Sequence, residues 1–221
     1  MNKKIKKLSI IMILSTVFYL TFPALSARVE TTQAANAVTK TNIRVNGLSA
    51  DTFLVEETTN TYGFLNVGRD QIANTTSLDF SYATPDLNDP QIVYLIHGAG
   101  EIPNSAFTIS SATAHLAVTT SFPVNHCAVN LVTADYNCET GTPITFDLTW
   151  VKNGFGSIDE KTHRTETIGP LTVKFKGEFE SVTAIVNGSW TEHSTAGDLF
   201  GNLVDSKDST NIREITLKAN P

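Results

Sequence analysis

Cysteine is nearly absent from this chain. Cys127 and Cys138 are its only two, both inside HCAVNLVTADYNC at 126–138. No C-x-x-C spacing occurs, so a closed four-ligand zinc site has no scaffold. His126 adjoins Cys127, but neighbours on a strand point to opposite faces. Basic residues are scarce too, with no run of Lys or Arg beyond the first seven positions, and no basic patch is expected. The G-x-S-x-G turn of a nucleophile elbow is missing, as is any glycine-rich cofactor loop, so no cofactor is expected. Beyond residue 27 there is no long helical period, no internal repeat and no low-complexity tract.

One long apolar run is present, from Leu8 to Phe22, behind the basic head Lys3, Lys4, Lys6 and Lys7. It spans 15 residues and stops at Pro23, short of the roughly 20 that a membrane helix needs. Ala24-Leu25-Ser26 then offers small residues of the kind a signal peptidase reads. The expectation is a cleaved signal peptide over 1–27 and a secreted, extracellular product with no membrane span in its mature part. The lysine-dense leader has a bacterial character. No cysteine follows the run to carry a lipid, and the final REITLKANP has no apolar tail.

The chain has 16 Lys+Arg against 22 Asp+Glu. Without the four leader lysines the balance is 12 against 22, a net charge near −10. Such a surface repels phosphate backbones, which argues against nucleic acid as a partner. Export permits disulfides, and Cys127–Cys138 is expected to pair. A symmetric hairpin would centre on Val132-Thr133, a poor turn pair. The better turn residues, Ala134-Asp135 and Asn137, fall late, so the expectation is a lopsided loop: a strand through about Leu131, then a fold back toward Cys127.

Alternation of period two dominates what remains. Leu78, Phe80 and Tyr82 share one face of SLDFSYA; Ala114, Leu116 and Val118 share one of SATAHLAVTT; Ile144, Phe146, Leu148 and Trp150 share one of PITFDLTWVK. In LTVKFKGEF, Leu171, Val173 and Phe175 are expected inward and Lys174 and Lys176 outward. Turn signals stand at 59–61, 85–89, 152–154 and 187–188, the last an Asn-Gly pair suited to a hairpin. GDLFGNLVDS at 197–206 is the best candidate for a helical turn, and EKTHRTET reads as a polar edge strand. The fold class is all-β: an antiparallel β-sandwich of two packed sheets, nine to eleven strands, over residues 41–221. Residues 28–40 read as a flexible lead-in.

Several groupings invite chemistry. VYLIHGAG at 93–100 looks like the strand-then-His-Gly element of α/β-hydrolases, but without the nucleophile elbow it reads as a buried strand ending in a glycine turn. Glu192, His193, Ser194 and Asp198 lie close in sequence, which does not by itself supply the geometry of a triad. His163, Arg164 and Glu166 read as an exposed edge. Asp86, Asn88 and Asp89 are hard oxygen donors of the kind calcium takes, and equally ordinary turn formers. Trp150 reads as core. Trp190 follows a turn signal and reads as partly exposed, a ring that could stack on a sugar. SAFTISSATAHLAVTTSF at 105–122 could serve a membrane-inserting hairpin, or an ordinary strand pair.

No metal or catalytic residue is assigned, and whether the chain is an enzyme stays open. The expected function is a non-catalytic extracellular binding role or an envelope or matrix component, with a glycan or protein partner. The alternative is a carbohydrate-binding module centred on Trp190, and a secreted hydrolase stands third.

Overall fold

A computed structural model describes residues 28–34, 38–191, 193–194 and 199–215. The expected leader, residues 1–27, lies outside them. The alternating segments become strands: β1 (Arg28–Ala34), β2 (Val38–Glu56), β3 (Thr61–Asp70), β4 (Thr75–Pro85), β5 (Ile92–Ile102) and β6 (Phe107–Ile109). Then come β7 (Thr113–Thr119), β8 (Val124–Asn130), β9 (Tyr136–Thr140), β10 (Thr145–Ile168), β11 (Leu171–Trp190), β12 (His193–Ser194) and β13 (Leu199–Ile215). No α-helix occurs among the described residues; Asn104–Ala106 makes a single 3-10 turn. The fold is all-β and antiparallel. Hydrogen bonds join the strands into one sheet in the order β6-β7-β10-β11-β13-β2-β3-β4-β5-β8-β9, with β1 beside β2 and β12 beside β11. Arg28–Ala34, read above as lead-in, pairs in register with Val38–Arg44.

The core forms where strands distant in that order face each other. Phe80 of β4 meets Phe146 of β10 edge-on, ring centroids 4.9 Å apart. Leu78, Phe80, Tyr82, Ala114, Leu116, Ile144, Phe146, Leu148 and Trp150 are all buried, as their alternation requires. The Trp150 Nε1–H donates to the Asp51 carbonyl of β2 at 2.8 Å. Gly201 of β13 leaves the room for this contact: a Cβ there would sit 2.1 Å from the Asp51 oxygen and 3.0 Å from the indole nitrogen.

Four local expectations are corrected. Asn187-Gly188 is not a hairpin turn but lies inside β11, opposite Thr149 and Leu148 of β10. The glycine serves a close approach instead, with φ +136° and space for a Cβ only 1.9 Å from the Asp147 carbonyl oxygen. The chain reverses after Trp190, through Thr191 at φ +47°. Lys152-Asn153-Gly154 does not end its strand; the register with β11 shifts between Lys152 and Ser157, and β10 continues. The Asn153 side chain steadies this bulge by accepting from Phe155 N–H at 3.0 Å and the Thr183 hydroxyl at 2.7 Å. Within 197–206, the residues from Leu199 onward are strand rather than helix, since Leu203 faces the core while Phe200 is exposed.

The cysteine hairpin is the fourth. Cys127 and Cys138 are bonded and stand directly opposite in the β8–β9 register. Asn130 is the last β8 residue, and the loop that follows is symmetric rather than lopsided, so Val132 and Thr133 do sit at its centre. The Asn130 side chain makes that possible. Its Oδ1 accepts the backbone N–H of Val132 at 2.9 Å and of Thr133 at 3.1 Å, and Ala134 takes φ +59° to close the loop. An Asx turn supplies what the central pair lacks.

Candidate anion-binding face

Strands β2, β10, β11 and β13 outrun the core. Residues 157–168, 171–181, 205–215 and 38–47 pair side by side, with β1 alongside, as an arm projecting from the body. β7 reaches β10 only as far as Val151, so the polar stretch 157–168 is an edge, as EKTHRTET suggests.

Strand alternation fixes what each face of the arm carries. In the body, Ala50, Leu54, Val182, Ala184, Val186 and Leu203 point into the core. The registers of β11 with β13 and of β13 with β2 run on into the arm without a shift. The same parity therefore carries Lys40, Asn42 and Arg44 on β2, Thr172, Lys174 and Lys176 on β11, and Lys207, Asn211 and Arg213 on β13. The core-side face becomes a basic face. This reverses the inward–outward reading of LTVKFKGEF: Val173 and Phe175 lie on the side opposite the core, and the lysines continue the core side. The inversion costs little here because no described strand packs on either face of the arm. The Phe175 ring instead lies over Gly177, 3.0 Å from where a Cβ would stand.

The cations divide into two groups. Nearer the body Lys176 and Lys207 are balanced: Lys176 Nζ lies 2.9 Å from Glu178 Oε1, and Lys207 Nζ 3.0 Å from Asp205 Oδ2. The hydrogen bond from Lys176, then its charge, lowers the Glu178 pKa, and Asp205 in the same way raises that of Lys207. Toward the tip the balance fails. Thr172, Arg213 and Lys40 form one row across β11, β13 and β2, and Lys174, Asn211 and Asn42 the next. Lys40, Thr172, Lys174, Asn211 and Arg213 line an open depression of about 230 Å³. Asn211 Nδ2 donates to Asn42 Oδ1 and holds the amide floor in place. Lys40, Lys174 and Arg213 form no salt bridge with a carboxylate among the described residues. By backbone register Glu30 of β1 stands opposite Asn42. Adjacent strands stand about 4.8 Å apart and same-face neighbours about 7 Å. An anion there would meet two ammonium groups, a guanidinium, a hydroxyl and an amide.

The expectation of no basic patch is thus overturned. Folding collects from three strands what the sequence keeps apart. A signal did exist: from Asp70 to Val151 there is no Lys or Arg, against eight carboxylates. Most of the cations are thereby left to the strands that build the arm.

The other candidates take ordinary places. Trp190 is fully buried and stacks on His193, centroids 5.2 Å apart, so its ring is not presented to a sugar. His193 Nδ1 lies 3.8 Å from Glu56 Oε2, beside the buried Tyr82, whose pKa burial pushes up to about 12. Glu192 and Asp198 lie outside the described residues, as does the side chain of Ser194. Arg164 pairs with Glu166, both exposed, and His163 points to the opposite face. Asp86 closes an Asx turn, its Oδ1 accepting from Asn88 N–H at 2.8 Å and Asp89 N–H at 3.3 Å, its Oδ2 from the Tyr94 hydroxyl at 3.1 Å. No group of three His, Cys, Asp or Glu side chains is placed to hold a metal among the described residues. His97 of VYLIHGAG lies with Nε2 3.9 Å from the bonded Cys127 sulfur. The 105–122 segment is the short β6–β7 pair, docked on β10.

No family model, no curated protein and no solved structure matches this chain.

Proposed function

We propose that this is a secreted, non-catalytic binding protein whose arm holds a carboxylate-bearing macromolecular partner against its basic face. One observation carries the reading: Lys40, Lys174 and Arg213 line one depression, with no carboxylate paired to them among the described residues, on a chain whose net charge is −6. Like charges on neighbouring strands destabilise a sheet, and an anionic partner offsets that cost. Arg213 supplies the planar fork that grips a carboxylate with two bonds. The body is read as a β-sandwich: the Phe80–Phe146 contact and the Trp150–Asp51 hydrogen bond bring distant parts of the sheet face to face. The basic leader and the single disulfide support export to the cell exterior.

The test is binding to immobilised poly-L-glutamate at low salt. The expected result is saturable binding that weakens as salt rises and is lost in Lys40→Glu/Lys174→Glu/Arg213→Glu. Binding that this triple variant retains in full contradicts the reading.

A further inference from the structure

Two separated surfaces carry opposite charge: the core-side face at the tip of the arm is basic, with Glu166 and Glu214 on the tip's other face, and the far end of the body is acidic. The tip of the arm lies where Val38 meets Ile215 and Ile168 meets Leu171. The opposite end is built by three loops: the turn after Glu56, the β4–β5 loop and the β8–β9 loop. Register places them together, because Glu56 pairs with Thr61, Pro85 with Val93 and Ile92 with Asn130. Leu131 N–H donates to the Gln91 carbonyl at 2.8 Å and ties the last two loops to each other. These loops carry Glu57, Asp86, Asp89 and Asp135, and no Lys or Arg. Glu57, Asp89 and Asp135 are exposed.

Within one molecule these charges do not neutralise one another. Sixteen residues separate Lys40 from Glu56 along β2, roughly 50 Å of extended strand. That is about five screening lengths at 0.1 M salt. Between molecules the two surfaces can meet directly, opposed only by the repulsion of the net charge of −6. We infer that the partner of the basic face is the acidic far end of a second copy of this chain, so that copies join head to tail. The inference rests on the reading of the basic face as a carboxylate-binding surface, and it commits that surface to one occupant by charge complementarity. Such a contact uses different patches on its two sides, so each copy keeps one free end of each sign. It therefore propagates into open chains unless the rotation closes a ring.

The experiment uses the full 221-residue chain, expressed and purified as the cell processes it, in sedimentation velocity at ionic strengths of about 10 mM and 500 mM, where screening lengths run from about 30 Å to under 8 Å. Two variants block opposite ends: Lys40→Gln/Lys174→Gln/Arg213→Gln on the arm, and Glu57→Gln/Asp86→Asn/Asp89→Asn/Asp135→Asn on the far end. At the far end the Asn and Gln replacements remove the charge and keep a side-chain oxygen that can accept the turn N–H bonds. The expected result is concentration-dependent assembly beyond the dimer at low salt, reversed at high salt. Each variant alone sediments as a monomer, and their mixture gives a one-to-one dimer that grows no further. Chains that stay monomeric at low salt, assembly that either variant leaves intact, or a mixture that does not pair overturns the inference. Poly-L-glutamate binding separates the two failures: if it is lost in the arm variant while the unsubstituted chain stays monomeric, the basic face stands and the second copy falls.

Discussion

Trp150 on β10 and Asp51 on β2 are joined by an indole hydrogen bond of 2.8 Å between strands that are not sheet neighbours. Gly201 sits beside that contact with no room for a Cβ. Gly201→Ala is therefore expected to lower stability by about 1–3 kcal/mol, the usual cost of forcing volume into a packed site. The urea midpoint measures it. An unchanged midpoint contradicts the packing described.

Trp190→Ala separates core from ligand surface. A fully buried ring replaced by a methyl group leaves a cavity, at a cost of about 3–5 kcal/mol. The expected result is a large fall in the thermal midpoint, with any ligand binding that survives at low temperature unchanged in affinity. A variant of normal stability that has lost glycan binding restores the sugar-stacking role.

The disulfide closes the β8–β9 hairpin, its two cysteines 11 positions apart in sequence. Chain entropy assigns such a loop about 3 kcal/mol. Reduction, or Cys127→Ala/Cys138→Ala, should lower the unfolding free energy by about that amount. Asn130→Ala removes the acceptor for two loop N–H groups and should cost about 1 kcal/mol more on its own. Denaturant titration of each variant reads both effects.

Asp79 gives a pH dependence. Burial alone raises its pKa above the ordinary 3.8. A carboxyl whose folded pKa is raised binds more protons folded than unfolded, so stability falls as pH rises from 3.8 through the raised value. Asp79→Asn removes that penalty. The variant should match the parent below pH 3.8, gain on it as pH rises through the raised pKa, and keep a constant advantage above, as pH-dependent thermal midpoints would record. A variant less stable than its parent at pH 7 contradicts the stated cause.

Much of the fold is legible in the residues, and the failures share a cause. Alternation in SLDFSYA and PITFDLTWVK states which side chains are buried, because a strand has only two faces. It does not say which face is covered where no core exists, so LTVKFKGEF reads with its sides exchanged. Asn-Gly and Lys-Asn-Gly are turn signals whose outcome depends on the neighbouring strand; here β10 and β11 pair straight through them. Trp190 depends on a contact with His193 that no local pattern announces. The basic face needs cross-strand register, since Lys40, Lys174 and Arg213 are far apart in sequence. Only the missing Lys and Arg between Asp70 and Val151 pointed that way.

Charge segregation is the central claim, and ion exchange tests it most directly. A chain of net charge −6 with evenly spread charges flows through a cation exchanger at pH 7 and low salt. This account expects the protein to be retained, and Lys40→Glu/Lys174→Glu/Arg213→Glu to flow through. Flow-through of the unsubstituted protein, or equal retention of both, would contradict it.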